Sequence, residues 1–159
     1  CNTATTAQSE STATGSWQVT PSHDSFSQYL TAVLQGSDIS ADAATVTFYP
    51  DIKQSGNYSV TIYTPGCLGD GTCGSRGRVN VTTQMSQGGE DPGAVFWQTN
   101  NYDKYDEIYN GPINLRDGFR PSVTLRPASG QGGTPVTVVA QRVRFTLLKA
   151  TSGYLNGLF

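Results

Sequence analysis

The residues best equipped for chemistry lie between positions 97 and 111. Trp97 precedes Tyr102, Asp103, Tyr105, Asp106, Glu107 and Tyr109, so rings and carboxylates alternate within a short stretch. Aromatic faces stack on sugar C–H surfaces and carboxylates accept from hydroxyls, so Trp97, Tyr102, Asp103, Tyr105, Asp106 and Tyr109 are candidates for binding a glycan or a partner. Asp103, Asp106 and Glu107 could also feed a weak structural calcium site, since calcium takes several oxygen ligands. The plainer reading is a satisfied loop, with rings packed on the end of a domain and carboxylates paired to Lys104, Arg116 or Arg120. Glycoside hydrolysis would need two carboxyl groups across a cleft, roughly 5 or 6.5–9.5 Å apart. Nothing in the spacing places two such groups opposite each other.

Other catalytic constellations fare no better. His23 is the one histidine, so a nucleophilic triad would have to use it. It sits in the turn-like Pro21-Ser22-His23-Asp24-Ser25, and no G-x-S-x-G elbow, HExxH or phosphate-binding loop accompanies it. Gly130-Gln131-Gly132-Gly133 has no following lysine and reads as a turn. The expectation is a chain without enzymatic activity and without a resident cofactor, its metal status open.

Cys67 and Cys73 enclose Leu68-Gly69-Asp70-Gly71-Thr72, a tight turn. Bridging it would stabilise the fold by about 2–3 kcal/mol in the chain-entropy picture. Metal binding is the rival reading, and one histidine with scattered carboxylates offers no evident set of four ligands. Cys1 is left over, either free or paired outside this chain. Sequons occur at Asn57-Tyr58-Ser59 and Asn80-Val81-Thr82, which makes Asn57 and Asn80 candidate N-glycosylation sites. Arg76 and Arg78 could engage a partner carboxylate, although such arginines more often lie over a sheet and donate to loop carbonyls.

The elements that must hold these residues read as strands. Only 14% of the 159 residues are charged, with 18 Gly and 8 Pro, as in all-β proteins rich in turns. The net charge of −2 and the lack of a Lys/Arg cluster argue against a nucleic-acid partner. No apolar run is long enough to span a membrane, which argues against direct membrane contact. Strands are predicted over 44–49, 58–64, 78–83, 94–99, 122–126, 136–140 and 142–148, separated by Gly, Pro, Asn and Asp. Seven or eight strands at that spacing predict an antiparallel β-sandwich or jelly roll, similar in outline to carbohydrate-binding modules. Phe26, Tyr29, Leu30, Val33 and Leu34 have the spacing of one short helix or of an irregular strand pair. Residues 1–16 read as a Ser/Thr/Ala-rich linker, or as a first strand hidden in a Thr-rich run. The sandwich is expected over 17–153, with 154–159 starting a following repeat or linker.

Alternation assigns the faces. Tyr58, Val60 and Ile62 share one side of their strand, Asn57, Ser59, Thr61 and Tyr63 the other. Val79 and Val81 point one way, Arg78, Asn80 and Thr82 the other. Both sequon asparagines therefore fall on polar faces, where a glycan has to be. Val136 and Val138 are out of phase with Val143, Phe145 and Leu147, which calls for a bulge or bend near Gln141.

Thr64-Pro65-Gly66-Cys67, Asp70, Thr72-Cys73, Arg76-Gly77 and Val79-Asn80-Val81-Thr82 together resemble a segment of the fungal Rax-type bud-site-selection proteins. So do Gln98-Thr99-Asn100-Asn101, Asp103-Lys104-Tyr105-Asp106, Ile108-Tyr109, Phe119-Arg120-Pro121 and the run from Val138 to Val143. The closing Leu155-Asn156-Gly157-Leu158-Phe159 is similar to the start of a propeller-type repeat that follows this module in that family. These are large single-pass surface proteins that mark sites of polarised growth, budding or division. The resemblance implies an extracellular, non-catalytic domain at the cell surface, contacting other domains of its own chain and a cell-wall glycan or protein partner. A carbohydrate-binding module for a wall glycan is the alternative.

Overall fold

Eleven β-strands make up the regular structure of the described residues, which in this computed structural model are 6–20, 28–89 and 93–150. They are β1 (Thr6–Gly15), β2 (Gln18–Thr20), β3 (Tyr29–Leu34), β4 (Ala44–Pro50), β5 (Gly56–Thr64), β6 (Arg78–Gln84), β7 (Ala94–Trp97), β8 (Lys104–Ile113), β9 (Ser122–Pro127), β10 (Val136–Ala140) and β11 (Arg142–Ala150). The named strand pairs are all antiparallel.

Two sheets face each other across one core. One runs β8-β5-β11 and the other β4-β9-β6-β7, with β1 joining them. The first residues of β1, Thr6–Gln8, pair with β11, and Ser9–Gly15 pair with β4. A single strand thus passes from one sheet to the other at the corner of the sandwich. A smaller sheet, β10-β3-β2, packs onto the same core through Ala32, Leu34, Val136, Val138 and Ala140.

The alternation read from the sequence sets these faces. Tyr58, Val60 and Ile62 are buried, as are Val79, Val81, Val143 and Phe145. Phe48 of one sheet and Phe145 of the other belong to one apolar cluster with Val46, Val123 and Leu125. Full burial of such a side chain is worth about 1.5–3 kcal/mol.

Several expectations are corrected. Residues 6–15 are a strand rather than a linker, because their Thr/Ser backbone completes the hydrogen bonding of both β4 and β11. Of the two readings of residues 26–34, the strand pair holds and the helix does not: residues 29–34 form β3 beside β2, with Tyr29, Ala32 and Leu34 buried, and a sheet partner on each side outweighs a helical spacing. Lys104–Ile113, read as a loop, is a ten-residue strand at the edge of its sheet. The phase change at Gln141 is a change of sheet, since β10 pairs with β3 and β11 with β5. Cys1, His23, Phe26 and residues 154–159 lie outside the described residues.

Candidate functional site

The cysteine loop is organised by a buried arginine. Cys67 and Cys73 are joined as a disulfide, with Cα atoms 4.9 Å apart. Beneath them the Arg76 side chain is fully buried. Its Nε donates to Thr72 Oγ1 at 2.9 Å. Nη1 donates to the carbonyls of Pro65 (2.8 Å) and Gln98 (3.1 Å), and Nη2 to Gly66 O (3.2 Å) and Asp70 Oδ2 (3.1 Å). The five N–H donors of a guanidinium therefore meet five acceptors. Asp70 also accepts from the Tyr29 and Thr72 hydroxyls. Burial pushes the Asp70 carboxyl up, but those bonds and the Arg76 charge outweigh it and hold its pKa below the ordinary value. Tyr29 moves the other way: burial first, then Asp70, drives its phenol well above the usual tyrosine range. Arg76 is thus a framework residue satisfied within the chain, and loop carbonyls take most of its donors.

Gly66 explains how the loop 98–103 comes so close. A Cβ there would lie 2.5 Å from Asn101 O and 2.7 Å from Tyr102 Cα, so only glycine fits. Cys67 N donates to Asn100 O at 2.9 Å, tying the two loops together. Gln98, 1% exposed, donates to Val139 O and accepts from Val139 N, both at 2.9 Å, which locks β10 against this loop.

The three predicted acids do not converge. Asp103 accepts from the Tyr63 hydroxyl and from Gly66 N (2.8 Å). Asp106 pairs with Lys104 at 3.2 Å. Glu107 accepts from Ser59 Oγ and from Asn110 Nδ2 (3.2 Å), and these two bonds lower its pKa. Among the described residues no three of His, Cys, Asp or Glu gather as metal ligands. A cleft of about 300 Å³ opens where β6 and β7 face β8, lined by Val81, Thr83, Gly93, Ala94, Phe96, Glu107 and Ile108. Among the described residues its lining holds one carboxylate, that of Glu107.

The predicted aromatics divide over separate surfaces. Trp97 is 58% exposed on the outside of β7, with the Arg78 guanidinium 5.2 Å from its ring centre. Tyr102 is 72% exposed in the loop beside Leu68. Tyr109 is half-buried, its hydroxyl donating to Pro112 O at 2.6 Å. Tyr105 is the ring that acquires company. It lies 4.8 Å from Tyr63, and Arg142 covers Tyr63 at 4.6 Å while Arg144 stands 5.8 Å from Tyr105. This ring cluster lies on the outer face of β5, β8 and β11, and Trp97, Tyr102 and Tyr109 stand apart from it.

Register explains the assembly. Tyr63 is opposite both Tyr105 and Arg142, and Thr61 is opposite both Glu107 and Arg144. Arg142 and Arg144 were not singled out from the sequence. Their signal was present: if Val143 and Phe145 point inward, the two arginines must point outward. Asn57 is exposed at the start of β5, and Asn80 is half-exposed on the outer face of β6, opposite Val95 and Arg126.

Comparison with known proteins places the geometry in context. The family model described as "Rax2 third domain" matches residues 1–148. "Polarized growth protein L1" of a Phoma species is 73% identical over 151 residues, covering 95% of this chain and 11% of that protein. "Bud site selection protein RAX2" of Saccharomyces cerevisiae is 41% identical over 101 residues, covering 62% of this chain and 8% of that protein. "Polarized growth protein rax2" of Schizosaccharomyces pombe is 30% identical over 121 residues, covering 76% of this chain and 10% of that protein. The chain spans about a tenth of the length of these relatives. Among solved structures, a Paenibacillus xanthan lyase has a similar fold, with TM-score 0.67 at 20% identity over 91% of this chain and 13% of that one. At that identity the likeness concerns the fold alone.

Proposed function

The chain belongs to the Rax2 third-domain family, and from that premise we propose that it is a rigid, non-catalytic extracellular module of a fungal polarised-growth protein. The relatives are named for polarised growth and bud-site selection. The module's work in this reading is to present an interaction surface at the cell wall, as part of a single-pass membrane protein. The observation that carries the reading is the buried Arg76 network under the Cys67–Cys73 bridge. It spends its charged and polar groups on holding loops in place and leaves none aimed at a reacting substrate. Disulfides persist in oxidising compartments, and the sequon residues Asn57 and Asn80 lie on outward faces, which agrees with an extracellular position. Its partners are a wall glycan or surface protein and the neighbouring domains of the same chain, without nucleic acid and without direct membrane contact.

The test uses the full-length fungal protein with an epitope inserted at the exposed Asp117–Gly118 turn. Labelling of intact, unpermeabilised cells at growth sites is expected. Labelling only after permeabilisation would overturn the extracellular placement.

A further inference from the structure

The outer face of β5, β8 and β11 carries more chemistry than a framework needs. Arg142 and Arg144 are two residues apart on one strand, so their attachment points are about 6.6–6.8 Å apart along it. Neither makes an ion pair among the described residues. Arg142 Nε is shielded from water and has no hydrogen-bond acceptor, and its Nη2 reaches only the Tyr105 hydroxyl, at 3.5 Å. The Arg142 guanidinium lies over Tyr63 and that of the exposed Arg144 stands near Tyr105, with N–H groups left for a ligand. Such planar, pre-positioned forks suit carboxylate and phosphate oxygens.

We infer that this face binds an acidic polysaccharide, Arg142 and Arg144 gripping its carboxylate or phosphate groups while Tyr105 stacks on a sugar ring. Three features favour a glycan over another polyanion. The Tyr105 ring is 54% exposed and open for stacking. Thr61 and Thr146 lie half-exposed in the same outward rows and offer hydroxyls to a polyol. Glu107 stands opposite Thr61 with one carboxylate oxygen already engaged, so the other can accept from a sugar hydroxyl. That carboxylate repels a uniformly charged chain such as polyphosphate but tolerates a polymer whose charges are spaced by neutral hydroxyls. A flat sheet face also suits an extended polymer.

This inference rests on the extracellular interaction reading and deepens it. The 159-residue chain is tested for retention on immobilised polygalacturonate and phosphate-bearing mannan, against neutral mannan, dextran and polyphosphate. Saturable binding to at least one acidic glycan is expected. Arg144→Ala should weaken it at least about tenfold, the scale of one lost charge-assisted hydrogen-bond pair. Arg144→Lys should restore only part, since the charge remains and the fork does not. Tyr105→Ala should weaken binding while leaving the melting temperature close to that of the parent. Arg78→Ala, on the opposite sheet, should change nothing. Equal retention on neutral glycans, tighter binding to polyphosphate, an equal effect of Arg78→Ala, self-association through this face, or no binding at all would each overturn the assignment. None of these outcomes bears on surface labelling of the full-length protein, which tests the underlying reading separately.

Discussion

Replacing Arg76 by alanine is expected to be among the most damaging single changes in this chain. The substitution deletes five hydrogen bonds and takes the Arg76 donors from the carbonyls of Pro65, Gly66 and Gln98, leaving Pro65 O only a long bond from Asn100 Nδ2. It also leaves Asp70, whose side chain is 9% exposed, without its counter-charge. Breaking a buried pair by removing one partner costs about 3–5 kcal/mol. For a domain of this size that corresponds to a melting-temperature loss of about 6–20 °C. Arg76→Lys, which keeps the charge but cannot reach every acceptor, should fall between parent and alanine and remains measurable if the alanine variant fails to fold. In the cycle with Asp70→Ala, the double variant should lose less than the sum of the singles by about 1 kcal/mol or more. The effect should also depend on pH. Asp70 titrates below the usual 3.8 in the folded chain. Its contribution is therefore complete above that value and is lost as pH falls through the lower folded pKa. The gap between parent and Arg76→Ala should narrow as pH drops below about 4. Calorimetry or denaturant unfolding at pH 7 and pH 3 reads both quantities. A loss under about 1 kcal/mol at pH 7 for Arg76→Ala would refute the reasoning, given the cost of an unpaired buried carboxylate.

Other substitutions probe the same framework. Cys67→Ser and Cys73→Ser should each lower stability by about 2 kcal/mol, because the closed loop is short; equal denaturant midpoints for parent and variants would contradict this. Gly66→Ala should cost about 1–3 kcal/mol through backbone overlap with Asn101 and Tyr102, and an unchanged melting temperature would show that the loop 98–103 can move away. Gln98→Ala should cost about 2–4 kcal/mol by leaving both backbone groups of Val139 unpaired. Hydrogen exchange should quicken at Val139 in that variant, and unchanged protection there would speak against the bridge.

Strand alternation was legible where one face meets the core. Tyr58, Val60 and Ile62, and Val79 and Val81, announce their strands by apolar period alone, and their burial follows. β1 was not legible in that way. Its Thr and Ser residues carry no apolar stripe, and its place comes from backbone pairing to two sheets at once. β8 was hidden for a related reason: charged residues are depleted in strands, and a shift in pairing between Tyr109 and Glu107 breaks its alternation. β3 mimicked a helix because Tyr29, Leu30, Val33 and Leu34 have a helical apolar spacing, although Val33 is exposed and Ala32 takes a core position.

The candidate site was partly legible. Tyr105 was visible as an aromatic among carboxylates, but the pairing of Asp103 with the Tyr63 hydroxyl and Gly66 N was not. Arg142 and Arg144 lie far along the chain from Tyr105, and only the sheet register brings them beside it. Arg76 could be seen near the cysteine loop, yet its burial depends on carbonyls contributed by Pro65, Gly66 and Gln98.

The central claim, a rigid extracellular module, is tested most directly by peptide mapping of the domain isolated from its full-length protein in the fungus. The account predicts a non-reduced peptide linking Cys67 to Cys73, with glycan attached at Asn57 and Asn80. Free thiols at Cys67 and Cys73 together with unmodified asparagines at both sequons would contradict it.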